Sequence, residues 1–234
     1  MSRAPFITFE GSEGCGKSTQ VQRLAARLES LGTPFLLTRE PGGTAIGETI
    51  RELLQFAPHG KGMFPETELL LFEASRSQLV REVIKPALEK QICVISDRFF
   101  DSTSVYQGIA RKLATPTVEQ LNEFAVGDCV PDLTIVLDVD ANTAQARLQK
   151  PRRPDRMEQE PDEFYEQVRQ AYRNLATREK NRVVLIDGTK PADEIEKNIW
   201  QTITARFPDL SRSGTKAGSS TKPNPQSTIR NSRS

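Results

Sequence analysis

The sequence predicts an α/β domain with a central five-stranded parallel sheet covered by helices on both faces. Three observations carry this. Short apolar runs at 5–10, 35–37, 92–95, 134–137 and 183–186 alternate with longer segments of helical periodicity, and repeated strand–helix units imply parallel strands joined by crossover helices. The run Ile92-Cys93-Val94-Ile95 is apolar at every position, as expected of a strand buried on both faces and central in the sheet. The first run enters a glycine-rich loop that opens directly into a helix.

Each element has its own signal. Residues 17–31 place Val21, Leu24, Ala25 and Leu28 at helical spacing. Residues 45–55 and the long stretch 66–89 read as helices, and 192–207 as the last one. Ligands of such sheets bind beyond the carboxyl ends of the strands, where Glu10, Thr38, Asp97 and Asp138 stand. The chain has 234 residues, 36% hydrophobic and 27% charged, which is ordinary globular composition for one domain. The domain is expected over 1–208. From Asp209 onward the chain is Ser-, Thr-, Gly- and Pro-rich and carries a net charge of +4 against −3 for the remainder. With Leu210 and Ile229 as its only large apolar side chains, 209–234 is expected to be a disordered basic tail. No stretch reaches the roughly 18 apolar residues of a membrane span, and the N-terminus lacks the pattern of a signal peptide. Cys15, Cys93 and Cys129 are far apart and odd in number, which suits a reducing compartment and predicts a cytoplasmic protein. A single histidine, His59, argues against a histidine-rich zinc site or a histidine-dependent triad.

The loop after strand one reads Gly11-Ser12-Glu13-Gly14-Cys15-Gly16-Lys17-Ser18, followed by Thr19. This is a phosphate-binding loop in its required strand–loop–helix setting. Glycines let backbone N–H groups converge on phosphate oxygens, and the helix N-terminus adds positive potential. Lys17 is placed to reach β and γ phosphates, and Ser18 to ligate Mg²⁺. Cys15, beside a lysine at a helix start, is a candidate reactive thiol. Asp97 closes a buried strand beside this loop, the position of a Mg²⁺-organising acid. Its neighbour Arg98, and Arg39 at the rim of Thr38-Arg39-Glu40-Pro41-Gly42-Gly43-Thr44, can bind a second phosphate. Phe72 and Arg76, four apart on one helix face, suit a nucleobase: a ring for stacking and a guanidinium for its edge. The proline-punctuated basic segment around 147–160 reads as a closing lid whose Arg152, Arg153 and Arg156 neutralise charge on a transferring phosphoryl group. The GTPase patterns D-x-x-G and N-K-x-D are missing from the sequence.

Taken together, the loop from Glu10 to Thr19, the Thr38–Thr44 turn, Asp97-Arg98-Phe99, Tyr106-Gln107-Gly108, Pro131-Asp132-Leu133 and Asp155-Arg156-Met157-Glu158 resemble a bacterial thymidylate kinase, in order, over residues 5–207. The resemblance implies the three-layer P-loop nucleoside-monophosphate-kinase fold and MgATP-dependent phosphorylation of dTMP to dTDP. It implies that Glu13 approaches the acceptor's 3′-hydroxyl and that Arg39 and Arg98 hold its phosphate. Phe72 would stack on thymine and Arg76 would donate to its O4. Thr103 and Gln107 would contact base and sugar, and Tyr106 would fill the space of a 2′-hydroxyl. Since the loop itself carries no arginine, the chain resembles the lid-arginine type, with the choice among Arg152, Arg153 and Arg156 open. Phe99 departs from the family's usual Tyr at that position. A homodimer is implied by the resemblance alone, with dTMP and ATP as small-molecule partners and neither nucleic acid nor membrane. Two other readings stay open on the residues: a mononucleotide kinase with a different acceptor, and a nucleotide-binding switch without turnover.

Overall fold

The computed structural model describes residues 3–56, 62–148 and 161–211. A five-stranded parallel sheet forms the middle layer, in the order β2-β3-β1-β4-β5. Its strands are β1 (Phe6–Glu10), β2 (Phe35–Arg39), β3 (Cys93–Asp97), β4 (Leu133–Asp138) and β5 (Val183–Asp187). The strand expected at the centre, β3, lies one place off it; β1 is central. The polar Thr8 obscures that in the sequence. Its hydroxyl is buried and shares a 2.8 Å hydrogen bond with Thr134 on the neighbouring strand β4, so a polar residue sits mid-sheet without an unmet partner. The edge strand β5 leaves Leu185 exposed.

Helices α1 (Lys17–Ser30), α2 (Ala45–Gln55) and α3 (Pro65–Leu79) follow the predicted bounds closely. Thr44 caps α2 by accepting from the Gly47 N–H at 2.9 Å. The long third helix is continuous to Glu89 but passes through a π-helical turn, Val80–Ile84, into α4 (Lys85–Glu89). Pro86 supplies the reason. It has no N–H, and its ring would press on the carbonyl four residues back, so the helix widens just before it. After β3 come α5 (Phe100–Thr103), a second π-helical turn (Ser104–Ala110) and α6 (Thr115–Val126). Beyond β4 lie α7 (Ala141–Arg147), α8 (Asp162–Arg178) and α9 (Ala192–Arg206).

Alternation along the strands divides the core. Ile7, Phe9, Cys93, Ile95, Leu133 and Ile135 face α1 and α9. Phe6 and Val94 face the other layer, packing on Leu79, Ile84 and Phe99. Thr8 and Glu10 share that second face with Phe6, so the polar ends of the strands open toward α5, the second π turn and α8.

The expected start of the tail at Asp209 is corrected. Pro208–Ser211 form a 3₁₀ turn, and Leu210, 6% exposed, belongs to the same apolar cluster as Leu28 and Ile203. Residues 212–234 lie outside the described residues. Leu210→Ala is expected to lower stability by about 2 kcal/mol, the low end for a truncated core leucine, as read by urea denaturation. An unchanged midpoint would place the end of the folded domain before Leu210.

Candidate active site

The parallel register levels the strand ends. Arg39 of β2 stands opposite Asp97 of β3, and Asp97 opposite Phe9 of β1. The loop from Gly11 to Gly16 therefore leaves β1 beside both. Its tight course depends on missing side chains. A Cβ on Gly11 would stand 2.7 Å from the Leu137 carbonyl oxygen, and one on Gly14 2.4 Å from that of Ala144.

Lys17 folds back into this loop and donates to the carbonyls of Gly11 at 2.9 Å and Ser12 at 2.8 Å. Ser18 and Thr19 are exposed at the mouth. Ser18 Oγ donates to Asp97 Oδ2 at 2.9 Å, which brings together the two residues predicted to organise a metal. Cys15 is wholly buried within the apolar cluster beneath the loop. The expectation of a reactive thiol is therefore corrected: the loop turns its sulfur inward, where reagents have no access.

Arg98 lies in the left-handed region, with φ 71°. Its N–H donates to Phe9 O at 2.9 Å. Its guanidinium donates to Glu13 Oε1 at 2.5 Å and to Ser102 Oγ at 3.0 Å, and sits 5.2 Å from the centre of the Tyr106 ring. Thus Glu13, Arg98 and Tyr106 are brought together. Phe99, where the family usually has Tyr, is fully buried, with its ring 4.9 Å from Phe6 and 5.5 Å from Phe100. The Arg76 guanidinium lies 5.5 Å from the centre of the same ring.

Arg39 donates to Glu48 at 2.8 Å. Phe72 is partly exposed on α3. Arg76, one turn on, is 1% exposed, and each of its five N–H groups has a protein acceptor. Nε–H and one Nη2–H go to Glu40, and the other Nη2–H goes to Thr103 Oγ1. The two Nη1–H groups go to Glu73 and to Asn122. The placement of Arg76 at a nucleobase edge thus meets a guanidinium already saturated, and Thr103 is part of what saturates it. Gln107 is buried and donates to Glu68 at 2.8 Å. Arg152, Arg153 and Arg156, with the rest of the predicted lid after Leu148, lie outside the described residues.

Several polar groups at this end were given no role by sequence reasoning. Arg147, read only as the start of the basic segment, donates from the end of α7 to Gly188 O at 2.8 Å and approaches Cys15 O at 3.4 Å. Asp138 pairs with Arg169 at 2.8 Å and Arg173 at 2.7 Å on α8. Glu10 is fully buried and accepts from Phe99 N–H, Ser102 and Tyr172. Its carboxyl is pushed up by burial, against the pull of the nearby Arg98 guanidinium. A strand-end acid was visible in each case of Glu10 and Asp138, but their partners come from more than thirty residues away.

The comparisons with known proteins agree with one another. A family model described as thymidylate kinase matches residues 9–199. The thymidylate kinase of Kosmotoga olearia is 46% identical over 194 residues, covering 83% of this chain and 92% of that protein. That of Deinococcus radiodurans is 43% identical over 206 residues, covering 88% of this chain and 99% of the relative. Among solved structures, thymidylate kinase from Ehrlichia chaffeensis superposes with a TM-score of 0.70 at 33% identity, over 87% of this chain and 99% of that one.

The Arg76 cluster makes stability depend on pH. Two buried carboxylates, Glu40 and Glu73, share one guanidinium, and burial pushes Glu40 up to about 7 despite Arg76. The unfolded carboxyl ionises first, near 4.5, and the folded one near 7. Between those values the folded state binds the extra proton, so this group's contribution falls as pH rises through the window, by at most about 3 kcal/mol. Glu40→Gln has no such titration. The stability difference between native protein and variant, from urea midpoints at pH 5 to 8, should therefore shift against the native protein as pH rises. A difference independent of pH would show Glu40 ionised throughout.

Proposed function

The chain belongs to the thymidylate kinase family, and from that premise we propose how its residues divide the work of moving a phosphoryl group from ATP to dTMP. The fold is that of the P-loop nucleoside-monophosphate kinases, and the reaction of the family is phosphorylation of dTMP. The single observation that best supports the division is a pair of hydrogen bonds beside the phosphate loop, Ser18 to Asp97 and Arg98 to Glu13, made by residues of the loop, the start of α1 and the end of β3.

Residues Gly11 to Thr19 cradle the donor phosphates, and Lys17 exchanges the carbonyls of Gly11 and Ser12 for β- and γ-phosphate oxygens. Ser18 and Asp97 offer two hard oxygen donors side by side, which fits Mg²⁺ completed by phosphate oxygens and water. When bound, the ion would neutralise charge building on the bridging phosphates. Arg98 and Arg39 hold the acceptor's phosphate in line with the donor, which supplies catalysis by positioning. Glu13 faces the acceptor sugar, Phe72 stacks on the base, and Thr103, Tyr106 and Gln107 line the acceptor site. For Arg76 to donate to thymine O4, it must give up one of its present acceptors. Arg152, Arg153 and Arg156 neutralise the transferring group. The enzyme works in the cytoplasm; the cysteines at 15, 93 and 129 are all free and buried, which suits reducing conditions.

The same reading includes a homodimer. The helices α2, α3 and α6 stand side by side and expose Ile46, Leu53, Leu70 and Phe124, the last 76% exposed. Such apolar side chains on three adjacent helices suit a second copy of the chain. Sedimentation velocity should find a dimer, and Phe124→Glu should shift it toward monomer. A monomer before any substitution would remove this part of the proposal.

A coupled ADP-release assay over dTMP, dUMP, dCMP and AMP tests the reaction. dTMP should be the best acceptor. dUMP, lacking only a methyl group, should lose roughly 10- to 200-fold. dCMP, with an amino donor in place of O4, should be nearly inert. Lys17→Ala should lose at least about 100-fold in kcat while staying folded by circular dichroism. Near-normal turnover in that variant would remove the loop from the chemistry.

A further inference from the structure

Glu10 is absent from the division of labour above, yet it occupies the last position of the central strand and has no exposed surface. A buried carboxylate costs too much to keep unless its oxygens are well used, and here both are. Oε1 accepts the Phe99 N–H at 2.8 Å. Oε2 accepts the hydroxyls of Ser102 at 2.6 Å and Tyr172 at 2.7 Å.

Two of these three donors flank Arg98. The Phe99 N–H belongs to the peptide that leaves Arg98, whose φ of 71° places a non-glycine residue in the left-handed region. The Arg98 carbonyl, on the same peptide, is held from the other side by Ser96 Oγ at 2.7 Å. The Ser102 hydroxyl gives its proton to Glu10 and accepts from Arg98 Nη1 at 3.0 Å. One carboxylate therefore reaches Arg98 twice: through the backbone that sets its unusual conformation, and through a hydroxyl relay that aims its guanidinium. Tyr172 ties α8 to the same oxygen.

We propose that Glu10 is a positioning residue for Arg98. It fixes the strained backbone and, through Ser102, the direction of the guanidinium, so that Arg98 meets the acceptor's phosphate without reorganising. Glu10 touches neither substrate. The inference rests on the reading of Arg98 as a ligand of that phosphate.

The test is a double-mutant cycle on the full chain, read as dissociation constants for dTMP and for ATP by titration calorimetry. Glu10→Gln should weaken dTMP about tenfold, the scale of a lost charge-assisted hydrogen bond, and change ATP affinity less than about threefold. In an Arg98→Ala background the same substitution should have little further effect on dTMP, because the group it positions is gone. Equal weakening in both backgrounds, or equal weakening of dTMP and ATP, would make Glu10 a general structural acid and overturn the proposal. If Arg98→Ala weakens dTMP and Glu10→Gln does not, positioning fails while the reading of Arg98 stands. If Arg98→Ala leaves dTMP binding intact, that reading falls and this inference with it. Should Glu10→Gln fail to fold, Ser102→Ala removes the relay alone and enters the same cycle. Its effect must likewise vanish without Arg98, or the proposal is wrong.

Discussion

Arginines gathered near the carboxyl ends of the strands need anions to hold them in place, and here carboxylates do that. Arg98 leans on Glu13, Arg39 on Glu48, and Arg76 on Glu40 and Glu73. A buried guanidinium without an anion would be strongly destabilising, whereas a paired one is tolerated. The consequence for binding is an exchange. On the proposed reading, a substrate phosphate would displace a carboxylate from an arginine rather than find a bare charge, so affinity would report a difference between two ion pairs. Pairs nearest the surface exchange most easily. Arg39 and Arg98 have partly exposed partners, and the Arg76 cluster has almost none. That gradient separates arginines placed to change partners from one whose partners are part of the core.

The Arg76 cluster also explains where the sequence was legible and where it was not. The strands, the phosphate loop and Asp97-Arg98 are local patterns, and each appears in the structure where the residues place it. A four-residue spacing located Phe72 and Arg76 on one helix face just as reliably. What the spacing could not reveal is that Glu40, Thr103 and Asn122 arrive from elsewhere in the chain to occupy four of the five N–H groups of Arg76, with Glu73 of the same helix taking the fifth. Leu210 was hidden for a different reason. A lone leucine in a polar segment has too little apolar company to signal burial, and its company comes from α1 and α9. Central placement of β1 was masked by Thr8, whose partner Thr134 lies 126 residues away.

The second face of the sheet carries a continuous polar network under the site. Thr8 meets Thr134, which donates to Asp101 at 2.9 Å, and Asp101 pairs with Arg182 at 2.6 Å. Asp101 is the second residue of α5, and Ser102 of the Glu10 relay is the next. Because both oxygens of Asp101 are engaged by Arg182, the start of α5 is fastened to β4 and to the residue just before β5. A satisfied buried network of this kind restricts a segment to one arrangement more sharply than apolar packing does. Here the segment so restricted carries Ser102, which accepts from the Arg98 guanidinium.

The same anchoring reaches both flanks of the basic segment. At its start, Arg147 at the end of α7 binds Gly188 and approaches Cys15. On its far side, α8 is held to β1 through Tyr172 and Glu10, and to β4 through Arg169, Arg173 and Asp138. The described chain up to Leu148 is thus tied to the phosphate loop, and α8 to the ends of β1 and β4. On the proposed reading, an arginine that neutralises the transferring group would have to be placed with respect to donor and acceptor together, because the charge develops only between them. A phosphate loop without its own arginine needs that charge from another element. On the proposed reading, the segment after α7 would supply it without lengthening the loop or disturbing the close approach of Gly11 and Gly14 to the backbone of β4 and α7.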